Sequence, residues 1–341
     1  MRTRPAIVEA DWSVVGVLGA AWGAVDDGGD TIGTEHLLAA LAKARGPVGR
    51  ALGRTGATMA AQLAVIRDRA SRPGSWAGTD DAGGSVPSVE VLGDDGHRGR
   101  RLTGAATRAF RSAMEDARRA DALSCSVEHL LRGLLADEDS RAAEVLRICG
   151  TSPGEVRRLL DDDTLPPAAD GLGPELRPTR DTLLGRRPRT GRPFWLRVVL
   201  FLARGANLAA NPVAWVALET VDQSRRTGQE TGTEHLLLAV LATHEVGLRY
   251  PHMAGEGAAD PEVRSAGGAR LAAMGARYAP LLRAVERAGT DLGPDDRPFD
   301  AYLDAAGGDG GTGPLVDALL RGGTRARRLL VSLGLDPSAR P

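Results

Sequence analysis

A six-residue motif that occurs twice constrains this chain more than any other feature. The sequence Gly-Thr-Glu-His-Leu-Leu occupies residues 33–38 and again residues 232–237. A looser copy, Ser-Val-Glu-His-Leu-Leu, occupies residues 126–131. A motif that returns at long intervals is the signature of a chain built from similar structural units. The sequence therefore predicts a set of related units.

Helical signals flank each copy of the motif. A short apolar segment that ends at a glycine follows the first two copies, and glycine is the residue expected just past the last turn of a helix. The glycine lies 21 residues after the glutamate in the first copy (35 to 56) and 22 in the second (128 to 150). Apolar residues with helical spacing precede each copy: Val14, Val15, Leu18, Ala21, Trp22 and Val25; Ala106, Ala109, Phe110, Ala113, Met114 and Ala117; Ala214, Ala217, Leu218 and Val221.

The second half of the chain departs from this pattern in two ways. The third copy reaches a comparable glycine only at Gly289. We therefore predict an insertion of about 34 residues at 244–277, forming a mobile loop with one short helix at most. A worn fourth copy ends at Gly334, with Gly313 and Pro314 where glutamate and histidine would stand.

The fold class follows from these patterns. The chain has 341 residues, enough for about two domains, and no stretch shows the alternation of a long strand. We predict an all-α protein whose first domain spans 1–165 and whose second, diverged domain spans 191–341. A linker rich in Pro, Asp and Arg at 166–190 separates them, and another, rich in Gly, Ser and Asp, at 71–100 separates the first two repeats.

Charge and cysteine content narrow the location and the partners. The net charge is -1, so no basic excess favours nucleic acid. Cys125 and Cys149 both lie in apolar helical patterns and are predicted to be buried thiols in a reducing cytoplasm. Charged residues stand at both long apolar stretches. Glu9 and Asp11 lie where the first should begin, and Arg197 and Arg204 interrupt the second. Neither export nor a membrane span is therefore expected.

The repeated motif, with its preceding helix and its helix ending in glycine, resembles the N-terminal repeat domain of the Clp/Hsp100 unfoldases, the ClpA, ClpB and ClpC group. The resemblance covers most of 8–160 and, more weakly, 210–338. It implies two all-helical domains, each a pseudo-twofold pair of four-helix repeats. It also implies Clp protease components or their substrates as partners.

Nothing in the chain predicts catalysis. The ATPase modules of the unfoldases need a glycine-rich loop that ends in Lys-Ser or Lys-Thr. Lys43 is the only lysine and stands between Ala42 and Ala44. No metal-binding or nucleophile motif is present. We therefore expect a non-catalytic protein without a cofactor.

The candidate site is the start of the helix that carries the motif. Thr34 is interpreted as its N-cap and Glu35 as its first residue, where free N–H groups could accept a phosphate and the carboxylate a guanidinium. Glu35 could instead do no more than complement the helix dipole. The resemblance to ClpC implies that this glutamate reads phosphoarginine. The candidate ligand-binding residues are Thr34, Glu35, Glu128, Thr233 and Glu234.

Departures from the family pattern accompany these candidates. Val127 replaces the threonine in the second copy. Ala6 and Leu102 stand where ClpC carries a phenylalanine that helps to bind cyclic-peptide antibiotics, which makes that site doubtful here. The motif histidines His36, His129 and His235 are predicted to bond within their own repeats. Trp12, Trp22, Trp195 and Trp215 are predicted to be core residues.

Two functional hypotheses follow. In the first, the chain captures degron or peptide ligands, such as phosphoarginine-marked proteins or peptide antibiotics, as an adaptor or a decoy of the Clp system. In the second, it is a structural or regulatory protein that docks a partner through its helix faces and has no ligand pocket. An enzyme is the least favoured class.

Overall fold

The computed structural model describes residues 9–25, 29–72, 74–97, 99–186, 208–255, 260–288, 292–305 and 311–335. The chain divides into two compact units, Met1–Asp170 and Gly171–Pro341. Helices dominate both units, as the sequence predicts. Among the described residues, no helix combines the length and the apolar character that crossing a membrane requires.

The first unit consists of two successive four-helix repeats joined by a short helix. The first repeat contains α1 (Trp12–Trp22), α2 (Thr34–Leu41), α3 (Pro47–Arg54) and α4 (Met59–Ala70). The connection contains α5 (Ser88–Leu92), and the second repeat contains α6 (Gly104–Arg119), α7 (Val127–Leu135), α8 (Arg141–Ile148) and α9 (Pro153–Asp161).

The core of this unit lies between the motif helices and the helices that precede them. Helix α1 packs on α2, α6 packs on α7, and α2 also contacts α4 and α8. Phe110 on α6 and Leu37 and Leu131 on the motif helices are fully buried. The apolar spacing of the sequence thus places one face of each helix in a shared core.

The segment 71–100, predicted as a linker, is structured along much of its length. Residues Val86–Pro87 form strand β2, which pairs with β3 (Arg101–Leu102), and β3 in turn pairs in parallel with β1 (Thr31–Ile32). Each strand has only two residues, which is too short for a detectable alternation of apolar and polar residues. The sheet fixes the entry to α2 beside the entry to α6.

The second unit contains the third motif copy and the worn fourth copy. Its helices are α10 (Arg177–Leu183), α11 (Pro212–Thr227), α12 (Thr233–Arg249), α13 (Pro261–Arg264), α14 (Ala266–Ala273), α15 (Tyr278–Ala288), α16 (Phe299–Ala305), α17 (Gly313–Arg321) and α18 (Arg325–Ser332).

The prediction of a mobile loop at 244–277 is wrong. Helix α12 continues to Arg249, and α14 packs on both α12 and α17. Gly275 follows α14 with φ +88°, the same left-handed region that Gly150 and Gly334 occupy after their helices. Gly275 therefore takes the place assigned to Gly289, which lies outside the described residues. The inserted residues are confined to the stretch between α12 and α14.

Helix α10 occupies part of the segment 166–190, which the sequence predicts to be a linker. It belongs to the second unit, where the Thr179 hydroxyl donates 2.7 Å to the buried carboxylate of Glu219 on α11. A buried carboxylate is stable only with such partners, and Arg226 also contacts it. The Pro and Arg content of the segment is typical of a linker and does not indicate this packed helix.

The tryptophans only partly follow their predicted burial. Trp215 is buried, whereas Trp12 is 88% exposed and Trp22 is half-buried beneath the Arg100 guanidinium, 4.5 Å from the ring centre. Trp12 is the first residue of α1, where helical spacing does not decide which side faces the core. Trp195 lies outside the described residues.

Candidate ligand-binding site at the motif helices

The motif helices begin one residue earlier in the motif than predicted. The N-caps of α2, α7 and α12 are Gly33, Ser126 and Gly232. Thr34 is therefore the first helical residue and Glu35 the second. Val127 in place of threonine would leave the start of α7 without a capping hydroxyl if it were the N-cap, but the N-cap is Ser126, which carries a hydroxyl. The motif threonines Thr34 and Thr233 bond to aspartates instead, and the motif histidines complete the caps.

The motif histidines complete these caps. In each copy the backbone N–H of the N-cap residue donates to Nδ1 of the histidine three residues later, at 3.0 Å for His36, 3.1 Å for His129 and 3.2 Å for His235. A side chain that reaches back from this position satisfies an otherwise unpaired N–H group. The prediction that these histidines bond within their own repeats is confirmed.

Asp80 organises the start of α2. Its carboxylate is 2% exposed and accepts from the Thr34 N–H at 2.7 Å, the Thr34 hydroxyl at 2.7 Å and the Thr103 hydroxyl at 3.0 Å. The Arg141 N–H donates to it at 3.1 Å, and the Ala142 N–H donates to the Thr34 hydroxyl. Thr34 therefore joins the start of α2 to the start of α8 through Asp80.

The second unit repeats this arrangement. Asp295 accepts from the Thr233 N–H at 2.9 Å, from the Thr233 hydroxyl at 2.5 Å and from the Arg325 N–H at 2.6 Å. The Ala326 N–H donates to the Thr233 hydroxyl at 3.0 Å. Helices α12 and α18 are thus joined as α2 and α8 are.

The Glu35 carboxylate is paired inside the protein. Its side chain is 2% exposed, and Arg141 Nη1 lies 3.2 Å from Oε1. Burial, followed by the negative charge of Asp80, raises the pKa of Glu35 to about 8, against the lowering effect of Arg141. The carboxylate that resemblance assigns to a ligand's guanidinium therefore already faces a guanidinium of its own chain.

Glu234 has the same kind of partner. Its side chain is fully buried, and Arg325 Nη2 lies 3.1 Å from Oε1. Arg141 and Arg325 are each the first residue of the helix that packs across the motif helix. The same ion pair between a motif glutamate and an arginine therefore occurs in both units.

Glu128 differs from both other copies. It is half-buried and forms no hydrogen bond or ion pair within the described residues. The first residue of α3, the helix that packs across α7, is Pro47, which carries no charge. Arg132, one turn further along α7, pairs with Asp161. In the described part of the chain, the backbone N–H of Val127 also donates to no group.

The start of α1 lies beside the start of α7. Ala10 and Cys125 form a parallel bridge, in which the Asp11 N–H donates to the Cys125 carbonyl at 3.0 Å. Trp12, the exposed first residue of α1, directly follows Asp11, and Glu128 is the second residue of α7. The two helix starts therefore lie side by side, and the Asp11 carboxylate caps α1 by accepting from the Val14 N–H at 2.9 Å.

Other sequence candidates are structural. Cys125 and Cys149 are buried as predicted, and burial raises the pKa of their thiols to about 11 and about 12. No group of three metal-ligating side chains occurs among the described residues. Leu102 is fully buried in β3, and Ala6 lies outside the described residues.

Sequence reasoning missed Asp80, Asp295, Arg141 and Arg325. A signal for them exists, because an Asp-Asp pair stands at both 80–81 and 295–296. A hydroxyl residue followed by Arg-Ala also stands at both 140–142 and 324–326. These shorter repeats lie outside the six-residue motif, and their separation from it differs between the two units.

Comparison with known proteins adds one decisive match. Residues 101–183 match the model of the Clp repeat (R) N-terminal domain. The chain contains a Clp repeat. The matched segment begins at β3 and includes the complete second repeat, α6 to α9, with Glu128 at the start of its motif helix. No curated protein matches the chain.

The match describes residues 101–183, not the whole chain. A Clp repeat is an all-helical, non-catalytic substrate-binding domain that mediates interactions with Clp components and their substrates. The match indicates an association with the Clp system.

Proposed function

We propose that this protein is a binding module of the Clp system that captures a guanidinium group at Glu128, as an adaptor or a decoy. A single observation carries the proposal. Of the three motif glutamates, Glu35 and Glu234 face arginines of their own chain, whereas Glu128 is unpaired in the part of the chain that the structure describes.

The chemistry of a guanidinium suits this site. A carboxylate binds a guanidinium through two parallel hydrogen bonds, and Arg141 and Arg325 show that the motif glutamate accepts one. Trp12, exposed at the neighbouring start of α1, offers a ring face on which a guanidinium can stack. Asp11 adds a second negative charge.

Arginine and phosphoarginine share this guanidinium chemistry. The unpaired N–H of Val127 favours a phosphate, whereas the carboxylate of Asp11 opposes one. A peptide with one central arginine, the same peptide with phosphoarginine, and the same peptide with citrulline therefore distinguish the ligands. Citrulline keeps the shape of arginine and removes its charge.

The test is calorimetric titration of the three peptides into the wild-type chain and into Glu128→Gln, with Glu35→Gln as the matched control. We expect at least one of the two charged peptides to bind the wild type and to lose about tenfold or more in Glu128→Gln. The citrulline peptide should bind the wild type no more tightly than the charged peptides bind Glu128→Gln. Equal loss in both variants, or no binding to the wild type, contradicts the proposal.

The alternative function is docking of a folded partner through helix faces. The exposed Trp12 and Leu123 favour it, because both lie on the edge where α1 meets α7. In that case a Clp component retained by the wild type is retained equally by Glu128→Gln and is lost from Trp12→Ala.

A further inference from the structure

A cavity in the second unit lies beside the motif helix α12. It has a volume of about 190 Å³ and lies between α11, the extended end of α12 and the inserted segment that leads to α14. An apolar cavity of about 150 Å³ is large enough for a benzene ring. The cavity exists because the motif helix α12 runs to Arg249, which gives the inserted residues a surface to cover.

The walls of the cavity are mostly apolar. Pro212, Trp215, Gly247, Tyr250 and Pro251 line it. A Cβ atom placed on Gly247 would meet only the edge of the Trp215 ring, at 3.8 Å. The space in front of Gly247 is therefore open.

Two unpaired donors belong to residues of this wall. Trp215 is 3% exposed, and its Nε1–H is buried without a hydrogen-bond partner in the described part of the chain. The Nε of Arg264 is likewise buried and unpaired. A buried donor without an acceptor destabilises the fold around it.

Arg264 gives the cavity wall a positive charge. Its side chain donates to the Ala209 carbonyl at 2.9 Å, and no carboxylate among the described residues forms an ion pair with it. Burial lowers the pKa of Arg264, against the influence of Asp260. His244 also lines the cavity, and burial, followed by the charge of Arg277, lowers its pKa. No acidic side chain is among the described residues that line the cavity.

We propose that this cavity binds a small organic carboxylate with a ring-sized apolar body. The body fills the space between Trp215 and Gly247, and the carboxylate accepts from the guanidinium of Arg264. The site belongs to the second unit and does not depend on the role of Glu128. A ligand there stabilises the inserted segment against α11 and α12.

The test uses benzoate as the probe and benzyl alcohol as its uncharged counterpart. The indole N–H signal of Trp215, assigned from its absence in Trp215→Phe, is followed by nuclear magnetic resonance of the full chain. We expect benzoate to shift this signal in a saturable manner and benzyl alcohol to bind about tenfold more weakly.

Three variants of the full chain complete the test. Arg264→Met should weaken benzoate binding about tenfold or more, and Arg249→Met, on the exposed end of α12, should leave it unchanged. Gly247→Leu should fill the cavity and abolish binding without lowering the thermal unfolding midpoint. Gly247→Leu keeps the test decisive if Arg264→Met unfolds. The proposal is overturned if benzoate does not shift the Trp215 signal, if benzyl alcohol binds equally well, or if Gly247→Leu binds benzoate as the wild type does.

Discussion

Arg141, the first residue of α8, holds its guanidinium 3.2 Å from the buried carboxylate of Glu35 on α2. The pair joins the two repeats of the first unit, because α2 belongs to the first repeat and α8 to the second. The same relationship between Arg325 and Glu234 joins the third and fourth copies. A motif glutamate thus holds two repeats together in both units.

Removal of the Arg141 guanidinium should destabilise the protein. At about pH 9, above the pKa of Glu35, Arg141→Met leaves the Glu35 carboxylate buried without its cation, and breaking such a pair costs about 3 kcal/mol, reduced here by the partial exposure of Arg141 to about 2 kcal/mol. Urea unfolding of the full chain measures the change. Arg147→Met, on the exposed side of α8, is the control and should change the unfolding free energy by less than about 0.5 kcal/mol. Equal effects of the two substitutions would refute a structural role for the pair.

The two neighbours Asp80 and Asp81 should respond differently to the same substitution. Asp80→Asn turns an amide donor toward groups that donate, at a cost of about 2 kcal/mol in unfolding free energy. Asp81 is exposed and pairs with Arg108 at the surface, so Asp81→Asn should cost at most about 1 kcal/mol. Asparagine also tolerates the left-handed backbone of Asp81 at φ 49°. A larger loss at Asp81 than at Asp80 would contradict the central place of Asp80.

The unfolding free energy should decrease as the pH rises from about 4.5 to about 8. Burial raises the pKa of Glu35 from 4.5 to about 8, so the folded state binds this proton more tightly than the unfolded state. The stability that the proton contributes is complete below the unfolded value and is lost as the pH rises through the folded value. The difference in unfolding free energy between the wild type and Glu35→Gln, measured across this range, isolates the contribution. A constant difference would exclude the raised pKa.

Replacement of Trp12 should affect binding and not folding. Trp12→Ala removes an indole that is 88% exposed, so the unfolding free energy should change by less than about 0.5 kcal/mol. Loss of stacking on a bound guanidinium is worth about 0.5–1 kcal/mol, a twofold to fivefold loss of affinity for an arginine-containing peptide. Calorimetric titration of that peptide supplies the measurement. Unchanged affinity would remove Trp12 from the site.

The sequence predicted the helices that precede and carry the motif, because their apolar residues recur with helical spacing. It also predicted that His36, His129 and His235 bond locally, since their partners lie three residues away. It could not predict the partners of Glu35 and Thr34. Arg141 lies 106 residues from Glu35, and Asp80 lies in a segment whose Gly and Ser content is typical of a linker. Such pairings depend on how whole helices pack, which local periodicity does not encode.

The insertion was misjudged for a related reason. Gly, Ala and Pro at 244–277 favour a loop when read locally. In the second unit they are small residues that let α14 lie close to its neighbours: a Cβ on Gly267 would clash with the Thr312 carbonyl, and one on Gly268 with His244. Small residues at a helix contact and small residues in a loop have the same composition.

The central claim is that Glu128 is open because the helix that crosses α7 begins with Pro47, where the helix that crosses α2 begins with Arg141. Pro47→Arg should supply the missing internal partner, and Pro47→Gln is the uncharged control. The decisive measurement is titration of the arginine and phosphoarginine peptides into both variants. We predict that Pro47→Arg weakens their binding about tenfold or more while Pro47→Gln retains it. Equal binding by the two variants would contradict the account.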